Sequence, residues 1–224
     1  MKKSLSNNSQ APVKSKPAKG RLRENIEALV IAIILALFIR TFIVQAFKIP
    51  SGSMKPTLLV GDYILVNKFI YGVKMPFTDI TLIPVENPKI GDVIVFKFPE
   101  DPSKDFIKRV VAVGGDTVEI RDKKVYVNGK LQINKHAMYV DPRVFSDPAR
   151  YPPELIRRDN MPLVKVPEGK LFMMGDNRDE SNDSRFWGFV DLHAVLGKAF
   201  MIYWSWDKDK TFGVRWDRLG HLIH

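Results

Sequence analysis

The sequence predicts a mostly β protein: an antiparallel, β-barrel-like domain with an inserted irregular cap region, preceded by one apolar N-terminal helix. Three observations predict it. Beyond residue 47 the chain breaks into short apolar runs separated by Gly and Pro, of which it has 14 and 15. Between the runs stand dipeptides that favour tight turns or strand entries, namely Gly61-Asp62, Gly91-Asp92, Gly115-Asp116 and Asn128-Gly129. A single stretch, close to the N-terminus, is apolar for long enough to cross a bilayer. With 224 residues, 45% of them hydrophobic, one or two domains with a real core are expected. The chain has no Cys, which excludes disulfides, thiol nucleophiles and thiolate-bound zinc or iron–sulfur centres.

The charge is uneven. Lys and Arg number 35 against 25 Asp and Glu, a net +10 that by itself suggests a polyanionic partner. Residues 1–25, however, hold seven bases and one acid, a net +6, in a segment otherwise rich in Ser, Asn, Ala and Pro. Residues 48–224 hold 27 bases and 23 acids, only +4. The basicity belongs to a tail that is expected to be disordered, and nucleic acid is not expected as a partner.

Ala28–Ile39 is an unbroken run of twelve apolar residues, and the stretch resumes after Arg40 and Thr41 as far as Phe47. Read as one helix, residues 26–47 extend about 33 Å, enough for a transmembrane span. The bases before it place the tail, 1–25, in the cytoplasm and residues 48–224 outside. Two other readings compete: a cleaved signal peptide, for which Val44-Gln45-Ala46 resembles a cleavage site, and a buried core helix.

The expected strands are Tyr63–Val66, Asp92–Phe98, Phe106–Val113, Thr117–Ile120, Lys124–Val127, Lys170–Met174 and Lys198–Trp204. An insertion covers approximately 118–168. Its part from 134 to 168, rich in Pro and poor in alternation, reads as an irregular excursion. The C-terminal aromatics Tyr203, Trp204, Trp206, Phe212 and Trp216 suit either a headgroup-level belt or a core strand with an aromatic edge.

Three segments carry candidate chemistry. In Pro50-Ser51-Gly52-Ser53-Met54-Lys55-Pro56-Thr57-Leu58, a Gly between two serines with Pro at both ends makes a constrained turn that can present a hydroxyl; an ordinary linker is the other reading. A hydroxyl needs a neighbour to take its proton. None of His136, His193, His221 and His224 stands in a triad-like spacing. Lys108 is a better base, because strand alternation puts it on one face with Phe106, Val110 and Ala112, and burial lowers an amine's pKa. A half-exposed Lys with an ordinary pKa is the alternative. Gly175–Arg185 is dense in hydrogen-bonding side chains and leads into Phe186-Trp187-Gly188-Phe189-Val190. It is not a calcium loop, since Arg178 stands at the third position and no Gly at the sixth. Ser205-Trp206-Asp207-Lys208 matches S-x-x-K, but the K-T-G and S-D-N that accompany that pattern are missing.

Together these segments, in this order after an apolar anchor, resemble bacterial type I signal peptidase, a membrane-bound serine protease. The resemblance covers Phe47–Asp62, Gly91–Asp116 and Gly175–Val190. It implies Ser53 as nucleophile and Lys108 as general base, with Ser51 and the Ser53 amide as oxyanion hole. It further implies that Ser181 orients Lys108, that Asp183 and Arg185 brace the late loop, and that Arg109 pairs with Asp176. Shallow pockets around Phe47, Ile49, Pro50, Met54, Leu58, Phe106 and Ile107 would accept Ala-x-Ala before the cut. No cofactor or metal is implied. The partners would be signal-peptide-bearing preproteins and the lipid bilayer, and the location the bacterial cytoplasmic (inner) membrane, single-pass. The chain departs from the family's usual Gly-Leu-Pro-Gly-Asp, having Ala112-Val113-Gly114-Gly115-Asp116 there. A partner-specific Ser/Lys processing protease and an inactive tethered scaffold of an export complex are the alternatives.

Overall fold

A computed structural model describes residues 21–74, 81–83, 85–210 and 212–224. Most of the basic tail, residues 1–20, lies outside the described residues. The chain divides into two units, one ending at Phe38 and one running from Ile39 to His224.

The first unit contains helix α1, Arg21–Phe38. Its 18 residues make about 27 Å of helix. Leu29, Ile31, Ile34 and Leu37 are among its exposed apolar side chains. The expected helix over 26–47 is corrected at both ends. It begins at Arg21, loosens into a wide turn over Ile39–Ile43, and gives way to strand β1, Val44–Lys48. The reason is pairing: Val44–Lys48 lies antiparallel to β2, Asp62–Asn67, with Phe47 opposite Ile64, and those ladder bonds replace helical ones. No helix among the described residues is long and apolar enough to cross a membrane.

The second unit is antiparallel throughout its named sheets. After β3 (Val73–Lys74) and β4 (Thr81–Ile83) come β5 (Val93–Phe98), β6 (Asp101–Val113), β7 (Thr117–Arg121), β8 (Lys124–Val127) and β9 (Lys130–Leu131). Then follow α2 (Pro153–Asp159), β10 (Met161–Lys165), β11 (Lys170–Met174), α3 (Ser184–Trp187), β12 (Val190–Asp191) and β13 (Val195–Ser205). The main sheet has seven strands in the order β1-β2-β13-β5-β6-β11-β12. It is open, with β1 and β12 as edges, so the barrel-like expectation is corrected to an open sheet. After Met174 the chain leaves the sheet for the polar loop; it returns first as the two-residue edge strand β12, too short to reach round to β1, and then as β13, inserted between β2 and β5.

β5 and β6 are the centre of this sheet, and both faces of β5 are buried. Val93 and Val95 join Ile49, Met54, Leu58, Ile64 and Ile202 in one cluster, while Ile94 and Phe96 join Val110, Leu171 and Met173 in another. Two-sided burial explains why Val93–Phe96 is a continuous apolar run rather than an alternating one.

The insertion is more regular than its composition suggests. It holds a second sheet, β10-β7-β8-β9, whose inner face shares a core with Val111, Ala112 and Phe172. The irregular reading of 134–168 is corrected by α2 and β10. Pro152 and Pro153 stand where a helix begins, a place that tolerates Pro because the first amides have no helical partner. Pro162 lies in edge strand β10, where the register against β7 shifts, so its missing N–H costs no ladder bond.

Phe96 is fully buried and its ring meets those of Phe106 and Trp187. Phe96→Ala is expected to cost about 3–5 kcal/mol in urea unfolding, with an unchanged denaturant slope. A loss below about 1 kcal/mol would show that this cluster is not the core of the sheet.

Candidate active site

The turn after β1 folds back on itself: the Lys55 N–H donates to the Gly52 carbonyl at 3.1 Å and the Leu58 N–H to the Met54 carbonyl at 2.8 Å. Met54 and Leu58 are fully buried and pin the turn to the core. Between them and the exposed Ser51, Ser53 is 9% exposed. Lys108 comes from mid-β6, opposite Ile94 of β5, and is 4% exposed.

The two side chains meet: Lys108 Nζ lies 2.8 Å from Ser53 Oγ. The amine also donates to the Ile107 carbonyl at 3.0 Å and stands 5.4 Å from the centre of the Phe106 ring. Burial pushes the Lys108 pKa down to about 8, while Asp183 and Asp176 pull it back up. A neutral amine is therefore within reach at mildly alkaline pH, held at a hydroxyl.

On the next residue of β6, Arg109 makes a bidentate pair with Asp176, at 2.8 Å from Nε to Oδ1 and 2.7 Å from Nη2 to Oδ2. Arg109 Nη1 donates to the Gly91 and His224 carbonyls, each at 2.7 Å. Asp176 also accepts from Thr57 Oγ1 at 2.6 Å. Thr57 was not singled out by sequence reasoning. Its signal was only its place four residues after Ser53.

The loop from Gly175 to Asp183 closes over the turn. The Asn177 N–H donates to the Ser53 carbonyl at 3.1 Å, and Asn177 Nδ2 to the Gly52 carbonyl at 3.3 Å. Asn177, also missed by the sequence reading, thus clamps both residues of the turn. A Cβ on Gly175 would collide with the Ser53 carbonyl oxygen and with Ser181 Oγ, so only Gly lets the loop come this close.

Ser181 is buried, but the expected hydrogen bond to Lys108 is not formed. Its Oγ is buried without a hydrogen-bond partner among the described residues. The physical reason is that Lys108 Nζ already faces Ser53 Oγ and the Ile107 carbonyl, while Ser181 packs against Gly175. Asp183 and Arg185 do pair, at 2.9 Å on both nitrogens. Asp183 also accepts from the Gly175 N–H at 3.1 Å, and Arg185 Nη1 donates to the Arg158 carbonyl at 2.9 Å. Burial alone would raise the Asp183 carboxyl, but the Arg185 guanidinium overrides it and holds it below the usual carboxylate range.

Of the expected pocket residues, Met54 and Leu58 present no surface to a ligand and serve as core, since hydrophobic packing beneath the turn takes them fully. Phe47, Phe106 and Ile107 are half-buried and Pro50 is exposed. Ile49 and Pro50 line a cavity of about 370 Å³ with Val60, Tyr63, Trp204 and Trp206. Among the C-terminal aromatics, Tyr203, Trp206, Phe212 and Trp216 are exposed and Trp204 is half-buried, with Trp216 edge-on to Trp204 at 6.4 Å.

Comparison with known proteins places relatives around this arrangement. The family model described as signal peptidase, peptidase S26, matches residues 22–204. The signal peptidase I of Pseudomonas aeruginosa is 42% identical over 215 residues, covering 85% of this chain and 75% of that protein. That of Aquifex aeolicus is 40% identical, covering 82% and 85%. A crystal structure of a signal peptidase I from Enterococcus faecalis V583, 29% identical, covers 50% of this chain and 97% of its own with a TM-score of 0.39, a likeness that carries no argument.

The Asp183–Arg185 pair is buried on both sides, so removing one partner strands a charge. Arg185→Leu is expected to cost about 3–5 kcal/mol at neutral pH. Because the Asp183 pKa is lowered on folding, this contribution is present above the ordinary carboxylate range and fades as pH falls below it. Urea unfolding of both proteins at pH 7 and in acid checks this; an equal cost at both would contradict it.

Proposed function

The chain belongs to the signal peptidase family, peptidase S26, and from that premise we propose that Ser53 is the nucleophile and Lys108 the general base of its reaction. That reaction is the removal of signal peptides from preproteins by a serine protease. The observation that carries the assignment is the 2.8 Å separation of Lys108 Nζ and Ser53 Oγ with both side chains buried. It falls within the roughly 2.6–3.2 Å reach that proton abstraction needs.

The steps follow from the groups present. Neutral Lys108 takes the Ser53 proton as Oγ bonds to the carbonyl carbon of the scissile peptide. The negative oxygen that results is met by the Ser53 amide and the Ser51 hydroxyl. Asp176 and Asp183 favour the ammonium formed at that moment, whereas burial disfavours it in the resting enzyme. The ammonium then protonates the leaving amine as the carbon–nitrogen bond breaks. Water, deprotonated by the same Lys, releases the signal peptide from Ser53.

Small residues before the cut fit the half-buried surfaces of Phe47, Phe106 and Ile107, which leave little depth for a large side chain. An extended substrate can add to the edge at β1, whose outer backbone groups face no further strand. The exposed apolar side chains of α1 and the basic residues before it support seating on a bilayer with the tail on the cytoplasmic side. Exposed Trp216 and Phe212 suit a headgroup layer. Holding enzyme and preprotein on one surface raises their effective concentration.

Preprotein cleavage by the purified full chain tests these roles. Ser53→Ala and Lys108→Ala are each expected to lose roughly 10⁴-fold or more in kcat, and full activity in either would sink the assignment. The base must be neutral, so kcat/KM should climb with pH up to an apparent pKa near 8 and then level off. An acid limb centred near 10.5, the ordinary value, would mean that burial does not tune Lys108. Gly175→Ala should displace the Ser53 backbone and lower kcat about a hundredfold, with a crystal structure showing the shift.

A further inference from the structure

We propose that the β7–β8 turn positions the active site: the Lys123 ammonium acts as a built-in cation between the insertion and the 175–183 loop, and Lys123 and Asp179 together set where that loop stands against Ser53. The inference rests on the reading of Ser53 and Lys108 as nucleophile and base.

The first sign is a backbone that its own residues disfavour. Arg121 pairs with Lys124, leaving Asp122 and Lys123 as a two-residue turn with φ of 48° and 66°. The next hairpin, between Val127 and Lys130, uses the same left-handed pair with Asn128 and Gly129. Asn-Gly adopts that turn readily, whereas Lys meets its own Cβ there. A Lys kept in a strained position points to a use for its side chain.

That side chain fills a nest of acceptors. Lys123 Nζ donates to the Asp141 carbonyl at 2.6 Å and to Asp179 Oδ1 at 2.8 Å, and lies 4.0 Å from Asp159 Oδ1. The side chain is 11% exposed, and its ammonium sits 5.8 Å from the Tyr139 ring centre. Tyr139 Oη donates to the Lys123 carbonyl at 3.0 Å. The turn's own amides are held as well: Asp122 N–H donates to Asn160 Oδ1 at 3.0 Å and Lys123 N–H to the Asp159 carbonyl at 2.8 Å.

The far end of this nest is the catalytic loop. Asp179 Oδ2 accepts from the Val140 and Asp141 amides, each at 2.8 Å. Met138 N–H donates to the Asp176 carbonyl at 2.7 Å, and Arg178 N–H to the Met138 carbonyl at 2.9 Å. Residues 138–141 therefore run alongside 176–179, with the Lys123–Asp179 contact as the charged end of the seam. Two residues before Asp179 stands Asn177, whose N–H holds the Ser53 carbonyl. A shift of Asp179 passes directly to the residue that clamps the nucleophile.

The test is preprotein cleavage by wild type, Lys123→Gly, Lys123→Arg, Asp179→Asn and the Lys123→Gly/Asp179→Asn pair, with Ser53→Ala as control. Lys123→Gly removes the amine while relaxing the turn, so loss of the fold is not built into it. The expected result is about a tenfold fall in kcat for Lys123→Gly and for Asp179→Asn, with KM within about twofold. The double variant should be no slower than the slower single, because both act through one contact. Lys123→Arg should recover most of kcat, and amide exchange over 177–181 should quicken in the two neutral variants. Folded Lys123→Gly with kcat within about twofold of wild type, while Ser53→Ala is dead, overturns the inference. So does loss of the folded state in both Lys123→Gly and Asp179→Asn, which would make the contact a folding determinant. Turnover retained by Ser53→Ala instead overturns the underlying assignment, whatever Lys123 does.

Discussion

The buried pair of Arg109 and Asp176 is the constraint on which the site depends. Both side chains are almost wholly out of water, at 4% and 0% exposure, so removing either would strand a buried charge. Through Arg109 the pair holds β6, the turn at Gly91 and the carbonyl of His224; through Asp176 it holds the late loop and, by way of Thr57, the turn that carries Ser53. Five segments of the chain thus converge on one carboxylate and one guanidinium. Bidentate geometry makes the junction directional as well as strong. Lys108 is the residue before Arg109, so the same contact sets the register of the strand that brings Lys108 to Ser53.

Charge in this protein is used in two opposite ways. Around Arg109, Arg185 and Lys123, cations are neutralised by carboxylates and carbonyls and act as rigid joints. Lys108 is used differently. It is buried among Phe106, Ile107 and the sheet core with no carboxylate partner among the described residues, so desolvation dominates and its amine loses basicity. Asp176 and Asp183 are close enough to be felt but are already committed to their own arginines. An ion pair to Lys108 would have kept it charged and useless as a base.

Much of the fold was legible. Each expected strand corresponds to an observed one, with ends shifted by a few residues, because Gly-Asp and Asn-Gly steps are local signals read without knowing the fold. Three features were not. Val44–Lys48 continues an apolar stretch, and helix or strand there depends on β2 being available to pair. The Pro-rich 134–168 segment conceals α2 and β10, because Pro is compatible with a helix start and an edge strand as well as with a loop. The closure of the sheet depends on how few residues return at β12.

For the site, Ser53, Lys108, Arg109, Asp176, Asp183 and Arg185 were named through the resemblance that their three segments, taken together and in order, bear to the signal peptidase family. Asn177, Thr57 and Lys123 could not be named, since a lone Asn, Thr or Lys is ordinary anywhere. Their parts come from partners 18 to 125 residues away, or from a backbone angle. Ser181 shows the converse: its presence in the motif did not decide its contact, because the Lys108 amine was already turned to Ser53 and Ile107. The sequence by itself determined the strand pattern, the segregation of charge into the tail, and which groups have the chemistry for hydrolysis. The tertiary structure alone decided which amine is dry, which carboxylates are spent on arginines, and how closely the late loop approaches Ser53. Desolvation and hydrogen-bond geometry are properties of packed surroundings, and no local stretch of chain contains them.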